Sequence, residues 1–195
     1  LVFIEPSGAP LAKRVVQRLD GIWFKPNEFE TKNVRIRRCY ERADHVIWQS
    51  EFDKQMTLKW FGSPKAGTVV ANGVDIQPVK QFNIAQLSSL SKQYEKMFVC
   101  SANWHPQKRL RANIEMFEHI RNTMNDKSCL MVLGANPDYI VSSPHIFYTG
   151  NVSQEMYMEV YSMSDYMIHL AWADHCPNTV VEALSQETPV ICSNV

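Results

Sequence analysis

Residues 166–194 read YMIHLAWADHCPNTVVEALSQETPVICSN, and this stretch decides the fold. Residues 166–170 form a short apolar run typical of a buried strand, residues 177–186 have helical spacing, and residues 189–192 predict a second strand. A strand, a helix and a strand in this order, with near-continuous apolar strands, indicate a parallel sheet covered by helices on both faces.

The same alternation continues outward along the chain. Further strands are predicted at residues 15–19, 45–49, 68–71, 97–100, 130–133 and 146–148, and helices at residues 31–42, 50–62, 110–124 and 156–161. We expect Ser50 to cap the second of these helices and Gly62 to end it. The third helix is predicted to bury one face, made of Leu110, Ile114, Phe117, Ile120 and Met124.

The pattern of elements predicts an α/β protein with two Rossmann-like parallel-sheet domains. They occupy residues 1–75 and 96–195, and the polar residues 76–95 connect them. Leu1 opens inside a strand-like run without an initiator Met, and the sequence stops just after a strand. We therefore expect a fold that is truncated at both ends.

The composition is that of a soluble globular protein. Of the 195 residues, 45% are hydrophobic and 21% charged, and 20 Lys and Arg balance 20 Asp and Glu. This balance argues against a nucleic-acid partner, and no apolar run approaches the roughly 20 residues of a transmembrane helix. The five cysteines form no C-x-x-C pair, and Cys100, Cys129 and Cys192 lie in apolar runs, so we expect buried thiols and a cytoplasmic location.

The turn before residues 177–186 is the first candidate site, because ligands of parallel sheets bind beyond the carboxyl ends of the strands. Pro177 suits the first turn of a helix. The helix would leave the amides of Asn178, Thr179 and Val180 unpaired, so that they are available to a phosphate.

Two carboxylates flank this helix start. Asp174 precedes it, and Glu182 lies in its second turn, on a different side from Val181 and Leu184, which we expect to face the sheet. Together the carboxylates could hold sugar or ribose hydroxyls. The alternative is that Asp174 only caps the helix and Glu182 is solvated.

A basic pair follows the strand at residues 97–100. Lys108 and Arg109 are predicted at the start of a helix, where the helix dipole disfavours cations, so their position favours a nearby anion. The alternative is a solvated basic pair. His105 is interpreted as an ordinary loop residue, and since no His-x-x-x-His spacing occurs, no metal site is predicted.

Two further loops follow predicted strands. Gly150 and Asn151, with Val152 after them, would let a base or ribose approach the backbone closely. Asn151 also opens a glycosylation sequon, at which we expect no glycan. Arg18 and Asp20 end a strand of the first domain, where they are either residues of a cleft that binds the acceptor or a local ion pair.

Taken in order, these motifs resemble the glycosyltransferases of sequence family four, which have the two-domain GT-B fold. The resemblance covers nearly the whole chain and rests on QRLDGI (17–22), ADHVIWQSEF (43–52), NGVD (72–75), WHPQKRL (104–110), GNVSQEMY (150–157) and CPNTVVEALSQETPVIC (176–192). It implies an acceptor-side domain at residues 1–75 and a nucleotide-sugar domain at residues 96–195. It also implies that the first strand, a glycine-rich loop and the final helix are missing, so that this piece alone is inactive.

The resemblance further implies a retaining transfer of a sugar from a nucleoside-diphosphate sugar to an acceptor hydroxyl, with no required cofactor. Asp174 and Glu182 match the acidic pair of the family, which contacts the donor sugar and its ribose. Lys108 matches one of two basic residues that neutralise the diphosphate. Asp174 is shorter than the usual Glu, and Asn103 replaces the other basic residue, a loss for which Arg109 would compensate.

The resemblance leaves the acceptor and two alternative functions open. The acceptor is a glycan, a lipid-linked molecule or a small molecule. A lipid-linked acceptor would be compatible with peripheral contact between the protein and a membrane. The alternatives are a non-catalytic module that binds a nucleotide sugar or glycan, and an epimerase or phosphorylase of similar architecture. A nicotinamide oxidoreductase is not expected, because no G-x-G-x-x-G follows any strand.

Overall fold

The computed structural model describes residues 2–3, 13–75, 89–90, 92–124 and 127–193. The chain divides into two compact units, Leu1–Gly73 and Val74–Val195. The predicted connection over residues 76–95 lies largely outside the described residues.

The first unit is a parallel sheet of four strands in the order β1-β2-β3-β4. Its strands are β1 (Val2–Phe3), β2 (Val16–Leu19), β3 (His45–Trp48) and β4 (Gly67–Val69), and its helices are α1 (Pro26–Arg42) and α2 (Glu51–Phe61). The core of this unit combines Leu19 and Val46 of the sheet with Ile36 and Tyr40 of α1.

The helices of the first unit begin at residues suited to a helix start. α1 starts at Pro26, earlier than the predicted residue 31, because Pro fits the first turn and Glu28 complements the positive end of the helix dipole. Ser50 caps α2 as predicted, since its Oγ accepts a hydrogen bond from the Asp53 N–H at 3.0 Å. Gly62 ends α2 with a φ of 82°.

The second unit is a parallel sheet of five strands in the order β7-β6-β5-β8-β9. Its strands are β5 (Lys96–Ser101), β6 (Ser128–Leu133), β7 (Ile146–Gly150), β8 (Tyr166–His169) and β9 (Val190–Cys192), and its helices are α3 (Leu110–Met124), α4 (Gln154–Met163) and α5 (Asn178–Ser185). The order turns back at β5, which pairs with β6 on one side and with β8 on the other. The loops after β5 and β8 therefore flank the crevice where doubly wound sheets bind ligands.

Helices cover both faces of this second sheet, as predicted. Side chains alternate along β5, so that Phe98 and Cys100 pack in one core cluster with α3, whereas Met97 and Val99 pack in another with α4 and α5. In the described part of the chain, none of the helices combines the length and the apolar character needed to cross a membrane.

Two predicted helix faces differ from the structure. Met124, at the end of α3, is 61% exposed. In α5, Leu184 is 56% exposed while Ala183 is fully buried, so Val180 and Ala183 face the core instead of Val181 and Leu184. Both pairs have helical spacing, and the small side chain of Ala183 allows α5 to approach the sheet closely.

All five cysteines are free thiols. Cys39, Cys100 and Cys129 are buried, and burial raises the pKa of Cys129 to about 12, so this thiol stays neutral. The prediction that Cys192 is buried is wrong, because β9 lies at an edge of the sheet and leaves this residue exposed.

Candidate functional site

The loops after β5 and β8 contact each other where the strand order turns back. The backbone N–H of Trp172 donates to the carbonyl oxygen of Gln107 at 2.8 Å. The loop after β5 also lies close to Gly134, which has a φ of 107° and where an added Cβ would stand 1.8 Å from the carbonyl oxygen of Ala102. Only glycine fits at this approach.

A buried side chain, Asn113 of α3, joins the same two loops. Its Oδ1 accepts from the Leu170 N–H at 3.0 Å, and its Nδ2 donates to the carbonyl oxygens of Lys108 at 3.1 Å and Arg109 at 2.8 Å. Asn113 is not among the site residues predicted from the sequence. The available signal was a polar residue on the face that begins with Leu110, which is otherwise apolar.

Lys108 closes a single 3-10 turn, Pro106–Lys108, and does not open an α-helix as predicted. Arg109 has a left-handed backbone, with a φ of 54°, and separates this turn from α3. Lys108 is half-buried and Arg109 is exposed. The basic pair therefore precedes the helix, and the two cations differ in their contact with solvent.

The side chain of Lys108 forms an ion pair with Asp174, so the structure brings these two predicted site residues together. Their side chains are 24% and 18% exposed. The Nε2 atom of His169, at the end of β8, lies 3.5 Å from the same carboxylate oxygen, Asp174 Oδ2. The side chains of Lys108 and His169 thus both lie beside the Asp174 carboxylate at the carboxyl edge of the sheet.

The carboxyl group of Asp174 is ionised at neutral pH. Burial raises its pKa, but the opposing effect of the neighbouring His169 and Lys108 is larger. The resulting pKa is below the ordinary value of 3.8. An ionised carboxylate accepts hydrogen bonds and donates none. Asp174 is therefore suited to accept from a ligand hydroxyl.

His169 is a second residue of this site that was not predicted from the sequence. Its Nε2 is buried and makes no hydrogen bond within the described residues. The sequence feature that could have indicated it is its position as the last residue of an apolar strand, directly before the loop that carries Asp174. Among the described residues, no three His, Cys, Asp or Glu side chains are grouped in a way that could hold a metal ion.

The start of α5 follows Asp174 closely but offers fewer amides than predicted. Pro177 is the N-cap and not the first helical residue. The Val180 N–H donates to the Pro177 carbonyl oxygen at 3.1 Å, so the expectation that this amide is available is wrong. Asn178 and Thr179 occupy the first turn of α5, where the positive end of the helix dipole lies.

Glu182 makes a contact separate from that of Asp174. It accepts a hydrogen bond from Nε2 of Gln154, the first residue of α4, at 3.1 Å. Because the turn after β7 leads directly into α4, this contact places Glu182 beside the segment that contains Gly150. The two carboxylates thus have different partners, and the binding role of Glu182 stays a prediction.

The turn after β7 leaves open space above its glycine. Gly150 has a φ of 68°, and a Cβ added there would meet no atom within 4 Å. Asn151 is exposed, and Val152 packs partly buried against a core cluster. The structure thus has room at Gly150, and the binding role of these three residues stays a prediction.

Asn103 contacts a different loop from the one that carries Asp174. It is exposed, and its Oδ1 accepts from Nδ2 of Asn136 at 3.3 Å. No charge stands at this position, which leaves Arg109 as the second cation in the loop after β5.

In the first unit, Arg18 and Asp20 form the local ion pair that was one of their two interpretations. Arg18 also donates to Oδ1 of Asn72, whose Nδ2 donates to Oε1 of Gln49 at 2.9 Å. These residues stand at or just beyond the ends of β2, β3 and β4, so they form a polar network at the carboxyl edge of the first sheet. Their role toward an acceptor stays a prediction.

Residues 83–195, which contain the loops after β5, β7 and β8, match the family model of the glycosyl transferases group 1. The chain belongs to this family. The matched region is more than half of the 195 residues and includes both partners of the Lys108–Asp174 ion pair. The family predicted from the sequence is confirmed.

Solved structures confirm the predicted fold of this chain. HepE from Anabaena in complex with UDP-glucose is 16% identical, with a TM-score of 0.73 over 93% of this chain and 54% of HepE. A UDP-forming α,α-trehalose-phosphate synthase from Burkholderia xenovorans is 10% identical, with a TM-score of 0.73 over 93% of this chain and 54% of the synthase. The chain has the GT-B fold and spans about half the length of these structures. No curated protein sequence matches it.

Proposed function

We propose that the protein moves a sugar from a nucleoside-diphosphate sugar to an acceptor hydroxyl, with retention of configuration at the reacting carbon. The observation that carries this proposal is the Lys108–Asp174 ion pair at the point where the strand order turns back. A cation suited to a diphosphate stands there beside a carboxylate suited to a sugar hydroxyl. HepE binds UDP-glucose, which makes a uridine-diphosphate sugar the first candidate donor.

Binding of the sugar nucleotide exchanges partners within this ion pair. Lys108 is neutralised by Asp174 in the structure, and a diphosphate supplies the stronger anion for the ammonium group. Asp174 is then free to accept a hydrogen bond from a sugar hydroxyl. The exposed Arg109 and the first-turn amides of Asn178 and Thr179 add positive charge around the phosphates.

In the transfer step, the bond between the sugar carbon and the phosphate oxygen breaks and a bond to the acceptor oxygen forms. The acceptor hydroxyl gives its proton to an oxygen of the leaving nucleoside diphosphate. Lys108 and Arg109 stabilise the charge that develops on this leaving group, while Asp174 orients the sugar. Glu182 binds the ribose. Gly150 has no side chain, so the ribose can approach the backbone closely there.

A second candidate function is a module that binds a sugar nucleotide or glycan without catalysis. Asn103 favours it, because this exposed residue supplies no charge where the family has a basic side chain. Binding without transfer and without hydrolysis of the sugar nucleotide would identify this case.

The test uses the full-length protein, because the chain spans about half the length of its solved relatives. Thermal unfolding is measured with UDP-, GDP- and ADP-sugars, and the binding nucleotide is then offered with glycan, lipid-linked and small-molecule acceptors. At a ligand concentration of about 100 times Kd, we expect stabilisation of about 2.7 kcal/mol. NMR of the product should show the anomeric configuration of the donor.

Three results would contradict parts of this proposal. If no sugar nucleotide stabilises the protein, the proposed substrate class is wrong. A product with inverted configuration would contradict the proposed retention and leave the rest of the proposal standing. Secretion of the full-length protein into an oxidising compartment would contradict the proposed cytoplasmic location, which five free thiols support.

A further inference from the structure

We infer that Asn113 is a positioning residue for the proposed reaction: it fixes the backbone of Lys108 relative to the loop that carries Asp174. This inference rests on the proposed function. Asn113 is 1% exposed and lies on α3, so it reaches the ion pair only through other residues.

The three side-chain hydrogen bonds of Asn113 require the chemistry of an amide. Its NH2 group donates to the two consecutive carbonyl oxygens of Lys108 and Arg109, and its oxygen accepts from the Leu170 N–H. An aspartate keeps the acceptor but places a carboxylate against two carbonyl oxygens. A serine is too short to span both loops, and a leucine leaves buried backbone groups unpaired.

These bonds fix the backbone of Lys108 and join it to the first residue of the loop that carries Asp174. The Lys108 N–H donates to the His105 carbonyl oxygen at 2.8 Å, and Asn113 holds the Lys108 carbonyl, so the peptide groups on both sides of Lys108 are fixed. Leu170 begins the loop that leads to Asp174. The contact between Trp172 and Gln107 also joins these loops, but it is a backbone contact that no side-chain substitution removes.

A buried asparagine in the first unit provides a matched control. Asn33 of α1 is 3% exposed, its Oδ1 accepts from the Trp23 N–H at 3.0 Å, and its Nδ2 donates to the Trp23 carbonyl oxygen at 2.9 Å. Like Asn113, it fastens a helix to loop backbone. It contacts one loop instead of two and lies in a unit that carries none of the predicted nucleotide-binding residues.

The experiment measures the Kd of UDP and of UMP by calorimetry on the full-length protein. The variants are Asn113→Asp, Asn113→Ser and Asn33→Asp, each tested alone, and Asn113→Asp is also combined with Lys108→Ala. UMP lacks the second phosphate, so the ratio of the two Kd values reports the contact with Lys108 and is insensitive to a uniform loss of folded protein. Asn113→Ser gives the same ratio without a buried charge if the aspartate variant does not fold.

We expect Asn113→Asp to weaken UDP binding about tenfold and UMP binding less than about twofold, while Asn33→Asp leaves the ratio unchanged. Because Asn113 acts through Lys108, its substitution should add less than about twofold in the Lys108→Ala background. An unchanged ratio in Asn113→Asp and Asn113→Ser, or full additivity with Lys108→Ala, would overturn the inference alone. A wild-type protein that binds neither nucleotide, nor any sugar nucleotide of the panel, would overturn the proposed function and this inference with it.

Discussion

At the scale of single residues, the ion pair between Lys108 and Asp174 leads to predictions about catalytic rate and about stability. Lys108→Ala should lower kcat for sugar transfer by the full-length protein about 10²–10³-fold, because the leaving diphosphate loses a cation proposed to stabilise it. The fold should survive, since Asp174 keeps some contact with water. Kinetics and circular dichroism measure the two effects.

The control for this substitution is Arg111→Ala. Arg111 is a cation on α3 that is 69% exposed and paired with Glu115, and its loss should leave kcat unchanged. An unchanged kcat in Lys108→Ala would remove Lys108 from the mechanism.

Asp174 should give the protein a pH-dependent stability. Its pKa is below 3.8 in the folded state, so its ionised form contributes stability that is present above pH 3.8 and is lost as the pH falls through the folded pKa. The difference in free energy of unfolding between wild type and Asp174→Asn should therefore be largest near neutral pH and shrink in acid. Urea unfolding at several pH values measures it, and a difference that is constant with pH would contradict the assignment.

Motif spacing predicted the residues in loops better than those inside elements. Lys108 and Asp174 follow strands, where ligand-binding residues are expected, and the structure brings them together. Asn113 and His169 were missed because they lie within apolar patterns of a helix and a strand. A polar residue in such a pattern looks like a satisfied core residue until a tertiary partner is known.

At the scale of elements, two turn glycines with positive φ differ in their surroundings. A Cβ at Gly134 would stand 1.8 Å from the Ala102 carbonyl oxygen, whereas one at Gly150 would meet no atom within 4 Å. Gly150→Ala should lower the free energy of unfolding only by the cost of a left-handed backbone at a residue with a Cβ, about 1–2 kcal/mol. Gly134→Ala should lose clearly more, because the loop after β5 must also move.

Urea unfolding of the two glycine variants makes this comparison directly. The movement of the loop should also weaken nucleotide binding by Gly134→Ala, since the same loop carries Lys108. Equal losses of stability in the two variants would show that the contact with Ala102 has no energetic weight.

The types of the elements were predictable, and their ends and rotations were less so. Strands β5 and β6 were clear from continuous apolar runs, since both of their faces are buried. The 3-10 turn at Lys108 was missed because Arg109 adopts a left-handed backbone that nothing in its residue type indicates. The rotation of α5 was missed because its apolar residues are adjacent, so that two neighbouring faces have helical spacing.

At the scale of the whole molecule, each unit has core clusters of its own, and we expect two unfolding transitions. Ile36→Val removes a methylene group from the first core and Ile114→Val does so in the second, each costing about 0.5–1.5 kcal/mol. These variants assign the transitions in calorimetry. A bound sugar nucleotide should raise the transition that Ile114→Val lowers and leave the other unchanged, whereas a single transition lowered by both variants would contradict this division.

The partners of the ion pair are separated by 66 residues along the chain. They meet only after β8 has docked beside β5, an event that requires closure of a long loop and is slow compared with helix formation. During refolding, recovery of affinity for a nucleotide should therefore lag behind recovery of the helical signal. Nascent or partly folded chains would carry every residue of the site and still be unable to capture the cell's sugar nucleotides.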